Sequence, residues 1–236
     1  MDSSIQKSFP SRRLNRPRTF ELAALLKYRI SMEPFEQDMR MSKTVDFYFD
    51  FGSPAAYLAY TQLPKLRADT GATVVMKPVL LGGVFQSTGN RPPISVPLKG
   101  SYLFVDLARY AKRYGVPLVM NPFFPINTIT LMRADVGMGL RGDSRLDAYR
   151  DAIFRAIWVD KQNLNDPATV AAVLTGAGFD PTEIMALVAD PQVKEALKAA
   201  TQAAVDRGIF GAPTFFVGDQ MFWGQDRLDF VREALI

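Results

Sequence analysis

The chain has 236 residues, is 48% hydrophobic and carries 28 Lys/Arg against 24 Asp/Glu, which suits one large globular domain or two small ones. It contains no cysteine and no histidine, which excludes disulfides, thiolate metal sites, nucleophilic protein thiols, imidazole bases and every Ser-His-Asp triad. Nine of the cations and five of the acids fall in residues 1–43, so residues 44–236 hold 19 of each sign and offer no excess of cations for nucleic acid.

Residues 1–19 are polar and basic, and only Phe20–Ile30 has a helical pattern. No apolar run in this stretch is long enough for a signal-peptide core or a membrane span. Residues 1–43 are therefore expected to be a loosely packed extension, with Met41 as an alternative start, and a cytoplasmic location is expected.

Beyond it, Val45, Phe47, Phe49 and Phe51 alternate with Asp46, Tyr48 and Asp50, the period of a strand. The run breaks at Gly52-Ser53-Pro54 and continues with Tyr57, Leu58, Leu63 and Leu66 at helical spacing. Serine favours the N-cap and proline the first helical position, so Ser53 is expected at the mouth of a helix that follows a strand. The helix dipole favours an anion there. On local sequence alone, Ser53 as a simple cap and Ser53 as a site residue both stand.

Residues 73–80 read as a second strand, interrupted by Pro78 and closing at Leu80-Leu81-Gly82-Gly83. Residues 86–100, rich in proline and glycine, are expected to be a long loop. Residues 100–207 read as helical. Gly115 marks one helix end, Asp143 or Ser144 is expected to cap a helix, and three Asp-Pro pairs (166–167, 180–181, 190–191) mark three helix starts. Phe154, Ile157 and Trp158 form a stripe expected in the core. The chain closes with Gly211-Ala212-Pro213, a strand at 214–217, a Gly218-Asp219 turn, a strand at 220–223 and a helix from about 225.

DFYFDFGSPAAYLA, LLGGVFQSTGNRPP, PLKGSYLFVDLARYAKRYGVPL, PINTITLMRA and GIFGAPTFFVGDQMFWGQDRL together resemble the 2-hydroxychromene-2-carboxylate isomerase family. That family is related to kappa-class glutathione transferases and to DsbA-like proteins. The resemblance covers roughly residues 44–235 and implies an α/β, thioredoxin-like fold with an inserted all-helical domain. Residues 44–84 and 209–236 would form the thioredoxin-like part, and 85–208 the connecting loop and helical insertion.

The resemblance implies glutathione as cofactor, with Ser53 hydrogen-bonded to its sulfur. It places Asn90 and Lys99 in a glutathione-holding loop and Ala212 beside a cis-Pro213, pairing with the cysteinyl unit. It gives Gln225 and Asp226 the γ-glutamyl end, although Asp226 also reads as a plain helix cap. Gln225 stands where relatives often carry Asn or Ser. The implied reaction interconverts 2-hydroxychromene-2-carboxylate and trans-o-hydroxybenzylidenepyruvate, a small aromatic carboxylate, in a homodimer with no nucleic-acid or membrane partner. No metal site is expected. A kappa-type transferase or peroxidase, and a non-catalytic thioredoxin-like binding module, are the alternatives.

Overall fold

The computed structural model describes residues 44–236, so the expectation of a loosely packed extension lies outside the described residues. Strand β1 (Thr44–Phe49) runs into helix α1 (Pro54–Thr70), followed by β2 (Thr73–Pro78) and α2 (Leu81–Thr88). A 3-10 turn at Pro93–Ser95 precedes α3 (Pro97–Tyr114), α4 (Ile129–Leu140), α5 (Leu146–Trp158), α6 (Pro167–Gly176), α7 (Pro181–Ala189) and α8 (Pro191–Asp206). The chain ends with β3 (Thr214–Val217), β4 (Gln220–Trp223), a 3-10 turn at Gln225–Arg227 and α9 (Leu228–Leu235). The strands form one mixed sheet in the order β2-β1-β3-β4. β1 is parallel to β2 and antiparallel to β3, and β3 to β4 is antiparallel. This is a thioredoxin-like sheet with helices inserted between β2 and β3.

The alternation in β1 works as expected on one face, where Val45, Phe47, Phe49 and Phe51 are fully buried. Phe47 stacks on Phe215 of β3 at 5.0 Å, and Phe51 meets Phe154 of α5 edge-on at 4.8 Å. Each such ring contributes about 1.5–3 kcal/mol by leaving water. The other face is also covered: Tyr48 packs with Val79, Val84 of α2, Ala204 of α8, Ile209 and Phe216. A central strand between two helical layers explains why Asp50 is buried at the end of an apolar run.

Two expectations are corrected. The loop at 86–100 is helical at both ends, because α2 extends to Thr88 and α3 begins at Pro97. The Gly82-Gly83 pair, expected at the close of β2, lies inside α2, and Gly83 is close to α8, where an added Cβ would sit 3.2 Å from Thr201. Tertiary packing there outweighs the roughly 1 kcal/mol by which glycine disfavours a helix. Neither Asp143 nor Ser144 is the cap of α5; that position is Arg145, while the Asp143 carboxylate accepts the Arg145 amide at 2.9 Å. The three Asp-Pro starts hold, since Asp166, Asp180 and Asp190 each accept first-turn amides of α6, α7 and α8.

Among the described residues, the helical layer contains a buried ion pair. Arg150 of α5 grips Asp135 of α4 with two bonds, at 2.7 and 3.0 Å, and both residues are buried. Burial pushes the Asp135 carboxyl up, and the Arg150 guanidinium pulls it back down. Breaking such a pair from one side strands a charge, whereas removing both partners together costs little. Arg150→Met should therefore lower stability in urea unfolding by about 3–5 kcal/mol, and Asp135→Leu with Arg150→Met should recover most of it.

Candidate active site

The turn from Asp50 to Ser53 joins the buried end of β1 to α1. Ser53 is the N-cap, with φ −96° and ψ 114°, and its Oγ accepts the Ala56 amide at 3.1 Å. Pro54 opens the helix, and no acidic side chain stands in the first turn, so α1 does not neutralise its own positive end. The hydroxyl also has a second partner. It donates to the Ala212 carbonyl at 2.9 Å across 159 residues of sequence. The Ala212–Pro213 bond is cis, as expected for a thioredoxin-like fold. Ser53 itself is only 5% exposed.

The cis-proline loop is held from several sides. Thr214 Oγ1 donates to the Gly211 carbonyl at 2.8 Å, and the Gly224 amide donates to the Pro213 carbonyl at 3.0 Å. Gly211 has no room for a side chain, because an added Cβ would lie 2.8 Å from the Trp223 indole nitrogen. Asn90 Nδ2 donates to the Phe210 carbonyl at 2.8 Å, which brings the segment after α2 to this loop.

Gln225 and Asp226 follow directly from Gly224. Gln225 is buried, and its carbonyl accepts the Tyr114 hydroxyl at 2.7 Å from the end of α3. Burial pushes the Tyr114 phenol up to about 12, so it remains a donor. Asp226 is exposed and pairs with Arg227 at 2.6 Å; it caps nothing, since Gly224 and Arg227 occupy the cap positions of the last two helical turns. Lys99 stands in the first turn of α3 rather than in a loop. Among the described residues it makes no hydrogen bond or ion pair with the other candidates. The structure thus joins Ser53, Ala212, Pro213 and Asn90 through one loop, sets Gln225 and Asp226 beside that loop, and shows no bond from Lys99 to any of them.

Residues 44–236 match the family described as DSBA-like thioredoxin domain. A 2-hydroxychromene-2-carboxylate isomerase from Pseudomonas putida is 37% identical over 194 residues, which cover 81% of this chain and 93% of that protein. The chain belongs to the 2-hydroxychromene-2-carboxylate isomerase family. A solved structure of a 2-hydroxychromene-2-carboxylate isomerase superposes with a TM-score of 0.70 at 35% identity, covering 81% of this chain and 94% of that one. A human glutathione S-transferase kappa 1 is 25% identical over 207 residues, covering 83% of this chain and 92% of that protein.

Around this candidate site, two residues make contacts that their local sequence hides. Trp158, expected in the core, is buried there, and its indole also donates to the Phe51 carbonyl at 2.8 Å. Asp50, read as the polar side of a strand, is 2% exposed and accepts three hydrogen bonds. Burial pushes its carboxyl up, while the Thr128 hydroxyl and the Gly52 and Leu81 amides hold it back. The available signal was a carboxylate inside an apolar run, two residues before Gly52-Ser53.

Ser53 has two structural bonds to lose, one as donor and one as acceptor. A cap alone is worth ~1 kcal/mol, and the bond to the half-buried Ala212 carbonyl adds about 0.5–1.5 kcal/mol. Ser53→Ala should therefore cost about 1.5–2.5 kcal/mol in chemical unfolding. A loss of ~1 kcal/mol would reduce Ser53 to a cap.

Proposed function

We propose that this chain is a glutathione-dependent isomerase that interconverts 2-hydroxychromene-2-carboxylate and trans-o-hydroxybenzylidenepyruvate, or a closely related aromatic carboxylate. The observation that carries the reading is the Ser53 hydroxyl. It lies at an uncompensated helix N-terminus and within 2.9 Å of the carbonyl preceding a cis-proline, in a chain without cysteine or histidine. A thioredoxin-like site with serine in this place has the means to stabilise a thiolate but no thiol of its own.

The residues present suit glutathione. The Ala212 backbone would pair with the cysteinyl unit as an added strand. Gln225 and Asp226 would hold the γ-glutamyl end, and Asn90 and Lys99 the remainder. When bound, glutathione would supply a thiol whose reversible addition to the conjugated system turns a double bond into a rotatable single bond. Ser53 would release the Ala212 carbonyl and turn its proton toward the sulfur, favouring the charged form. Burial of Ser53 keeps bulk water from competing for that proton. Asp226 would exchange Arg227 for the ligand's ammonium group.

The isomerase reading is supported by the extent of the match to proteins of that name, 93% of the Pseudomonas putida protein. The reading extends to the cytoplasm, where the glutathione pool is reducing. It also extends to a homodimer, for which the exposed Leu98, Tyr102 and Val105 on α3 offer an apolar face. A kappa-type transferase is the second reading, favoured by the 25% identity to human glutathione S-transferase kappa 1.

The two readings part in a spectrophotometric assay with hydroxychromene carboxylate, with and without glutathione, run beside a standard transferase substrate. Equilibration of the isomers that requires glutathione but consumes none is the expected result. Stoichiometric loss of glutathione would favour the transferase. Inactivity on both substrates would leave a binding module.

A further inference from the structure

We propose that Asp50 is a positioning residue for Ser53: its buried carboxylate fixes the turn that presents the serine hydroxyl and ties that turn to the starts of α2 and α4. Three segments converge on this one side chain. Oδ1 accepts the Gly52 amide at 2.8 Å and the Thr128 hydroxyl at 2.6 Å. Oδ2 accepts the amide of Leu81, the first residue of α2, at 2.8 Å. Thr128 in turn precedes α4, and its carbonyl accepts the Met132 amide at 2.8 Å. The Asp50 main chain takes part as well, since its carbonyl accepts the Ser53 amide at 3.0 Å.

Only an ionised carboxylate accepts at both oxygens without presenting a donor; an asparagine would set an N–H group against one of these three donors. The turn is also closed sterically. A Cβ at Gly52 would lie 3.3 Å from Thr128 Cγ2 and 3.4 Å from Asp50 Oδ1. Trp158 holds the Phe51 carbonyl from the far side. Residues 50 to 53 are thus each bonded to something outside α1, and Ser53 has no independent freedom of backbone. A serine whose proton must reach a particular atom is sensitive to such support, because misplacement by about 1 Å can cost ~100-fold in rate.

A carboxylate that merely stitched the fold would weaken it without regard to Ser53. A double-mutant cycle separates the two roles. Asp50→Asn and Thr128→Val are each made with Ser53 present and with Ser53→Ala, and kcat is measured at saturating glutathione, well below the unfolding temperature. This kinetic arm rests on the glutathione-dependent reading. Asp50→Asn should lower kcat about tenfold or more when Ser53 is present and less than about twofold beside Ser53→Ala. Thr128→Val keeps the carboxylate and two of its donors, so it should give a smaller loss with the same dependence on Ser53. Equal losses in both backgrounds would overturn the proposal.

Amide hydrogen exchange of the ligand-free chain tests the same claim without any cofactor. Asp50→Asn should speed exchange at Gly52, Ser53 and Leu81 by about tenfold while β3 keeps its protection. Unchanged protection at Gly52 and Ser53 would overturn the positioning role. Accelerated exchange in a protein with no glutathione-dependent turnover would support the role of Asp50 and count against the proposed reaction alone.

Discussion

The site depends on the antiparallel pairing of β1 with β3. Asp46 faces Phe216, Phe47 faces Phe215 and Tyr48 faces Thr214. In that register the chain leaving β1 toward Ser53 passes the chain entering β3 from Ala212, and the two meet in a single hydrogen bond. A slip by one residue would turn Phe47 and Phe215 away from the core they share and separate the two halves of the site. Burial of the strand on both faces therefore specifies the chemistry, although no core side chain takes part in it.

Around this apolar frame lies a set of buried polar groups directed at irregular backbone. Trp158 answers Phe51, Tyr114 answers Gln225, Tyr57 donates to the Pro117 carbonyl at 2.7 Å, and Asn121 donates to the Ile157 and Gln162 carbonyls. Each satisfies a carbonyl that has no place in the sheet, and for the buried Phe51, Ile157 and Gln225 an unpaired group would cost about 1–3 kcal/mol. The effect is local rigidity at the ends of elements, where the candidate residues stand. Ser53 differs from its surroundings in one respect. Its hydroxyl can exchange one acceptor for another by a rotation about a single bond, while the turn beneath it stays fixed by Asp50.

Features encoded within a few residues were legible in the sequence. The alternation of β1, the serine-proline start of α1, the three aspartate-proline starts and the Gly218-Asp219 turn are local, and the structure contains each of them. α2 was not legible, because a glycine pair opens it and the donor at its start is answered by Asp50, 31 residues earlier. Lys99 falls in the first turn of α3, since Pro97 serves as a helix start rather than as a loop breaker. Asp226 has the residue type of a cap, yet its carboxylate folds over Gly224 and pairs with Arg227. The resemblance located Ser53, Ala212 and Pro213 together, whereas Asp50 and Thr128 emerge only once segments 78 residues apart are seen in contact.

Under the proposed function, Ser53 sets the ionisation of a bound thiol. Ultraviolet titration of the thiolate band of bound glutathione, in the wild-type chain and in Ser53→Ala, measures this directly. Losing one hydrogen bond to an ion is worth about 1.5–3 kcal/mol, so the thiol pKa should rise by roughly one to two units in the variant. The backbone amides and dipole of α1 persist, so glutathione should still bind. The same thiol pKa in both proteins would contradict the account and leave Ser53 as the cap of a helix.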